Sequence, residues 1–283
     1  MFPTKLKTAS LWLLFLSGVL VAHAVPAQHH ADCVNKTFTD SLIEVYSTKA
    51  WEFGYNHPQW QASWDSLLLV CPNVAFAFRE KAIPHIKNGN YSKAFEYVGK
   101  AVELDPVSWL SYRGFLHCIF TKNYDLALQD FSAADSLAPG GYVMDHTHEF
   151  YRALCFLGMK AYGLALTHLN ADLETQTKGN EHFNSYLYGG IIQLLSGNYL
   201  MAKEMLNKCL GIYPQSPEAN YYLAQVYYQL GERSQGDVSM EAAKRFFGEG
   251  YRLNEANEFY VNYPLQITNS DLGLAPPTSI EVR

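Results

Sequence analysis

Gly89-Asn90-Tyr91-Ser92-Lys93-Ala94, Lys122-Asn123-Tyr124-Asp125-Leu126-Ala127, Lys160-Ala161-Tyr162-Gly163-Leu164-Ala165 and Gly197-Asn198-Tyr199-Leu200-Met201-Ala202 are four versions of one phrase. Each sets a tyrosine three residues ahead of an alanine, and successive tyrosines stand 33, 38 and 37 residues apart. A period of that size is the mark of a stacked array of small supersecondary units, each too small to bury its apolar face alone.

The residues around the phrase give the unit its shape. Three units end in an apolar stretch and then a proline: Leu104-Asp105-Pro106, Leu137-Ala138-Pro139 and Ile212-Tyr213-Pro214. Proline cannot continue a helix, so each marks a stop. Gly89, Gly197 and Gly231 fall where a preceding helix must end and the chain reverse. Small residues recur midway along the first helix, at Ala82, Ala153, Gly190 and Ala224, and along the second, at Ala94, Ala101, Ala127, Ala134, Ala165 and Ala202. Small side chains let paired helices approach closely while Tyr, Phe and Leu fill the seam.

Together these positions resemble the tetratricopeptide repeat. The unit Ala75 to Pro106 matches through Ala82, Gly89, Tyr91, Ala94, Ala101 and Pro106, and Phe183 to Pro214 through Gly190, Gly197, Tyr199, Ala202 and Pro214. In Pro217 to about Glu255, Leu223, Ala224, Tyr227 and Gly231 fit a first helix; the second is expected near Ala243 to Leu253. Asp40 to Pro72 reads as a degraded first unit, with Trp60, Trp64 and Leu67 on one helical face. The resemblance implies an all-α fold, a right-handed superhelical solenoid of antiparallel helix pairs with five to six repeats over residues 40–255. It also implies an inner groove that takes extended peptides or helices of a partner protein.

Three departures stand out. Pro84 falls inside the first helix of the best unit, where an interior proline costs ~3 kcal/mol or bends the helix. The second and third units lack the turn glycine, and the third has the polar run Gln176 to His182 in place of a terminal proline. Local signals place a capping box at Ser41 and Glu44 and an N-cap with following proline at Ser216-Pro217.

The ends differ from the middle. Lys5 and Lys7, the apolar run Leu11 to Ala22 and the small residues of Ala22-His23-Ala24 read as a cleaved signal, residues 1–24. The run is too short for the ~20 residues a membrane helix needs, so export without a membrane span is expected, to the periplasm or the exterior. Residues 25–39 are a leader, and 256–283, with Pro264, Pro276 and Pro277, a tail with no helical period, docked at its start and loose at its end. Without Lys5 and Lys7, 19 basic residues face 27 acidic ones. That balance excludes nucleic acid, whose binding rests on neutralising phosphates. Of the five cysteines, Cys118 and Cys155 occupy matching places in neighbouring units and could approach; buried unpaired thiols are the simpler expectation.

Candidate contact residues follow from the resemblance. The groove-facing position of the first helix carries Arg79, Arg113 and Arg152, a ladder suited to a carboxylate-bearing partner peptide. In the last two units the same surface is neutral and aromatic: Leu187, Ile191, Leu194, Tyr221, Gln225 and Tyr228. The alternative for the arginines is pairing with acids such as Glu80 or Asp130. Asp145-His146-Thr147-His148-Glu149 offers metal-type donors, but a capped helix start explains it more simply. No nucleophile elbow, phosphate loop or dinucleotide fingerprint is present, so no catalytic or cofactor residue is expected. The expected function is a protein-interaction scaffold of the cell envelope or secreted space, with a metal-binding protein or a homo-oligomeric solenoid as alternatives.

Overall fold

The computed structural model describes residues 32–177 and 179–274. The expected signal, residues 25–31 of the leader and residues 275–283 of the tail lie outside the described residues. Within them, twelve helices pack in consecutive pairs. The pairs are α1 (Lys36–Phe53) with α2 (Pro58–Val70), α3 (Ala75–Lys87) with α4 (Tyr91–Leu104), and α5 (Pro106–Ile119) with α6 (Tyr124–Leu137). Then come α7 (His148–Gly158) with α8 (Tyr162–Thr175), α9 (Phe183–Leu195) with α10 (Tyr199–Ile212), and α11 (Pro217–Gln229) with α12 (Arg233–Gly248). A two-residue antiparallel hairpin, β1 (Tyr142–Val143) against β2 (His146–Thr147), sits between α6 and α7.

The repeated phrase works as one device. Tyr91, Tyr124, Tyr162 and Tyr199 each open the second helix of a pair. Asn90 and Asn123, one residue earlier, cap those helices by accepting from the amides of Lys93 and Leu126. Before them the chain reverses through a left-handed residue, at Gly89 (φ 75°), Gly197 (φ 79°) and Gly231 (φ 76°). Where glycine is missing, Lys122 (φ 54°) and Lys160 (φ 61°) take the same conformation. That costs roughly 1–2 kcal/mol at each site and makes the same reversal in the two units that lack the turn glycine. The tyrosine rings then lie against the next unit. Tyr91 meets Phe120 edge-on, and Tyr124 lies so close to Gly158 that a Cβ there would stand 2.2 Å from its ring.

Two helix boundaries differ from expectation. The first helix is capped by Asn35, and Ser41 lies inside it with its hydroxyl donating to the Phe38 carbonyl, so the capping box does not form. The last helix starts at Arg233 rather than near Ala243. Gly236 takes the place that alanine holds in the other units, since a Cβ there would stand 2.3 Å from the Tyr228 ring. With glycine for alanine and arginine for tyrosine, the phrase is present but unrecognisable. Ser216 caps α11 as expected, accepting from the Ala219 amide.

Pro84 is accommodated within α3. It has no N–H for the Glu80 carbonyl one turn back. The Trp60 indole of the preceding pair supplies the missing donor at 2.9 Å, and Gln61 donates to the neighbouring Lys81 carbonyl at 3.0 Å. The same N-terminal pair is closed by a Cys33–Cys71 disulfide, Cα atoms 5.6 Å apart, which the sequence reading did not identify. Cys118, Cys155 and Cys209 are buried free thiols. Cys118 lies close enough to hydrogen-bond with Cys155 and raise its pKa, without bridging. No described helix is long and apolar enough to cross a membrane.

Candidate interaction groove

The first helices of successive pairs stand side by side and form an inner wall, and the chain's own C-terminal segment lies along it. Gly250 (φ 95°) and Asn254 (φ 61°) turn the chain off the end of α12. From there Tyr213 Oη donates to the Arg252 carbonyl (3.2 Å) and Asn184 Nδ2 to the Leu253 carbonyl (3.4 Å). Glu255 is received in a buried polar nook, bonded by His146 Nε2 (2.8 Å) and Asn184 Nδ2 (2.6 Å). The segment continues to the first pair, where the Tyr55 and Tyr260 hydroxyls meet at 3.1 Å with the Lys87 ammonium over both rings. It then comes back. Lys122 Nζ donates to the Asn262 carbonyl (2.6 Å), Tyr188 Oη to the Pro264 carbonyl (3.0 Å) and Tyr222 Oη to the Leu265 carbonyl. Ile267 and Leu272 are buried with Ala243 and Phe247 of α12.

Electrostatics of the wall reflect that cover. Burial pushes the Tyr188 phenol well above its ordinary range, which keeps it a hydrogen-bond donor. Burial lowers Lys122 to about 8. Burial raises the Glu218 carboxyl to about 8; both its oxygens are buried and unpartnered at the start of α11. Burial of His182, with His146 beside it, lowers the His182 imidazole.

The arginine ladder does not assemble on this wall. Arg113 turns to the second-helix side and holds Asp130 of α6 through two bonds of 2.8 and 2.6 Å. Arg152, its side chain 10% exposed, is held by Glu149 (2.6 Å) and by Asp135 of α6. The pairing alternative therefore describes both. Arg79 alone faces a groove cavity of about 200 Å³, lined also by Tyr112, Phe115 and Met144 and closed by Ala256 and Asn257 of the C-terminal segment. It pairs with Glu80, and its guanidinium lies 5.0 Å from the Tyr112 ring centre.

Of the aromatic set, Leu187 and Ile191 are 1% exposed and belong to the core, beyond a partner's reach. Tyr221 and Gln225 remain partly open beside a cleft of about 520 Å³ that Leu265 and Asp271 help to line, as does Leu194. Tyr228 is exposed, its hydroxyl on Asp237.

The Asp145–Glu149 cluster is internally satisfied. Thr147 caps α7 by accepting from the Phe150 amide. Both nitrogens of His148 are engaged, with Asp135 (2.7 Å) and Ser111 (2.8 Å), and Glu149 is held by Arg152 and His168. No group of metal-type donors comes together among the described residues. Among the residues that hold the segment, the sequence reading gave that role to none of His146, Asn184, Tyr188, Tyr213 and Tyr222. Only the surplus of tyrosine, 20 in the chain, hinted at a polar-tipped aromatic wall.

No family model matches the sequence, and no curated protein matches it. Solved structures do. The chain is similar to PilW, described as a widely conserved type IV pilus biogenesis factor, at 16% identity and a TM-score of 0.62 over 76% of this chain and 95% of that one. It is similar to a tetratricopeptide repeat protein from Parabacteroides merdae at 16% identity and 0.59, over 75% of this chain and 79% of that one. MamA from Desulfovibrio magneticus aligns at 15% identity and 0.53, over 62% and 96%. The repeated turn, the paired helices and these likenesses agree: the fold of this chain is that of a tetratricopeptide-repeat solenoid.

Proposed function

We propose that this chain is a protein-interaction scaffold outside the cytoplasm, whose inner wall receives a partner polypeptide. One observation carries the reading: a polypeptide is already seated there, with side chains from several units donating to its main-chain carbonyls. Hydrogen bonds to carbonyls hold a chain by its backbone and make little demand on its side chains. The expected signal sequence and the Cys33–Cys71 disulfide support an oxidising compartment. A pilus-biogenesis factor of like fold is consistent with envelope assembly.

Arg79, Tyr221, Gln225 and Tyr228 are the partner contacts in this reading, with Arg113, Arg152, Leu187 and Ile191 framing the wall behind them. The open face beside Tyr221 and Gln225 offers large rigid side chains that lose little entropy on binding. A photo-crosslinking residue at Gln225 or Arg79, irradiated in the native compartment and followed by mass spectrometry, tests this. A discrete heterologous adduct is expected. Adducts only to a second copy would favour a homo-oligomeric solenoid instead.

A further inference from the structure

We infer that residues 251–274 are an intramolecular stand-in for the partner, a strap that must leave before the groove can be filled, and that the partner is a segment that turns between a glutamate and a tyrosine about five residues on, as the strap does. This rests on the scaffold reading and adds to it the chemistry and the gating of the same wall. The strap runs from the last unit to the first and back. Tyr260 meets Tyr55 across 205 residues of sequence, and Leu265 returns to Tyr222.

Its contacts divide into two kinds. The carbonyl bonds from Tyr213, Asn184, Lys122, Tyr188 and Tyr222 read only backbone, so a chain on the same turned path would satisfy them whatever its sequence. Among the polar contacts two read side chains: Glu255 in the His146–Asn184 nook, and Tyr260 with its hydroxyl on Tyr55 and its ring under Lys87; Leu253, Tyr263, Ile267 and Leu272 add buried apolar anchors. A replacement must reproduce these, because Asn184 and His146 are buried and would otherwise lose their partner.

The strap is packed unevenly: Leu253 and Tyr263 join the main core, and other stretches border open space. Helix pairs interlock so tightly that a single Cβ at Gly190 would clash with Leu206. Between strap and wall, by contrast, lie a cavity of about 200 Å³ and a cleft of about 520 Å³. Leu253, Tyr263, Ile267 and Leu272 are the strap's buried anchors, and the cavity leaves the stretch at Ala256 and Asn257 without close packing. Phe259 at the far bend is 83% exposed and gives a competing chain a place to start. A resident occupant lowers apparent affinity in proportion to the time it spends bound.

The test uses the full chain, wild type and with Glu255→Ala plus Tyr260→Ala, and a fluorescent synthetic peptide of residues 251–274. Both substitutions weaken the strap and leave every wall residue in place. The peptide is expected to bind the variant at least about tenfold more tightly than the wild type and to raise its Tm. The same peptide with both alanines should bind neither. Equal or absent peptide binding overturns the inference. So does a variant that loses its helical circular dichroism, because a strap the helices need cannot yield to a partner. Tyr260→Ala alone provides the milder variant: proteolysis between residues 250 and 265 should quicken with helicity intact, and unchanged cleavage counts against a releasable strap. Crosslinking in the native compartment separates the two claims. Partner capture equal in wild type and variant leaves the scaffold standing without the strap, and peptide exchange without any captured partner does the reverse.

Discussion

The Trp60 indole donates to the Glu80 carbonyl at 2.9 Å, and this bond is what makes a proline tolerable inside α3. The helix lacks an amide at Pro84, and the neighbouring pair supplies the donor instead. Trp60→Phe should therefore cost about 1–3 kcal/mol, the penalty of a buried acceptor left unmade, beyond any loss of packing. In a Pro84→Ala background the amide of residue 84 returns, and the cost of Trp60→Phe should shrink. Urea unfolding of the four chains reads the coupling; equal costs in both backgrounds would contradict the exchange of donors.

Glycines within the helices should divide by what surrounds them. A Cβ at Gly190 would lie 2.4 Å from Leu206, so Gly190→Ala should destabilise by about 1–3 kcal/mol through overpacking. Gly163, early in α8, has nothing within 4 Å of its Cβ position. There alanine should stabilise by about 0.5–1 kcal/mol, the usual helical preference. Thermal unfolding of the two variants should move in opposite directions.

The buried Glu218 carboxyl should make stability fall as pH rises through neutrality. Its pKa rises from 4.5 to about 8 on folding, through burial first and Glu258 second. A raised folded pKa means stability that is full below pH 4.5 and lost as pH climbs to about 8. Tm should fall across that window, and Glu218→Gln should flatten the fall and raise Tm at pH 7. A wild-type profile matching the variant's would show that the carboxyl is not buried as described.

Arg113 and Arg79 should part company. Arg113→Ala leaves Asp130 buried without its two-bond partner, a loss of about 1.5–3 kcal/mol in unfolding free energy. Arg79→Lys keeps a cation beside the buried Glu80 while removing the guanidinium from the groove cavity, so it should reduce partner capture with a smaller change in melting. The opposite ranking in unfolding and pull-down measurements would return Arg113 to the ladder.

How much of this was legible beforehand depends on how local the cause is. The tyrosine–alanine phrase, the glycine turns and the stopping prolines act within a few residues, so the helix pairs could be read directly. The start of α12 was misread because Gly236 and Arg233 keep the geometry while losing the letters. The arginine ladder failed for a different reason. Helical position places Arg113 and Arg152 near the groove, but Asp130 and Asp135, both on α6, decide where the guanidiniums point. The strap is more distant still. Glu255 meets His146 across 109 residues, and nothing in the local pattern of a proline-containing tail announces such a partner.

The central claim is that this tail lies along the inner wall as far as the first helix pair. Spin labels at Trp51→Cys and Phe259→Cys, both exposed, probe it directly, because Tyr55 and Tyr260 place those regions side by side. A short, narrow interlabel distance in the full chain is predicted. A long, broad distribution would mean that the segment trails free of the wall, and the account of an occupied groove would be wrong.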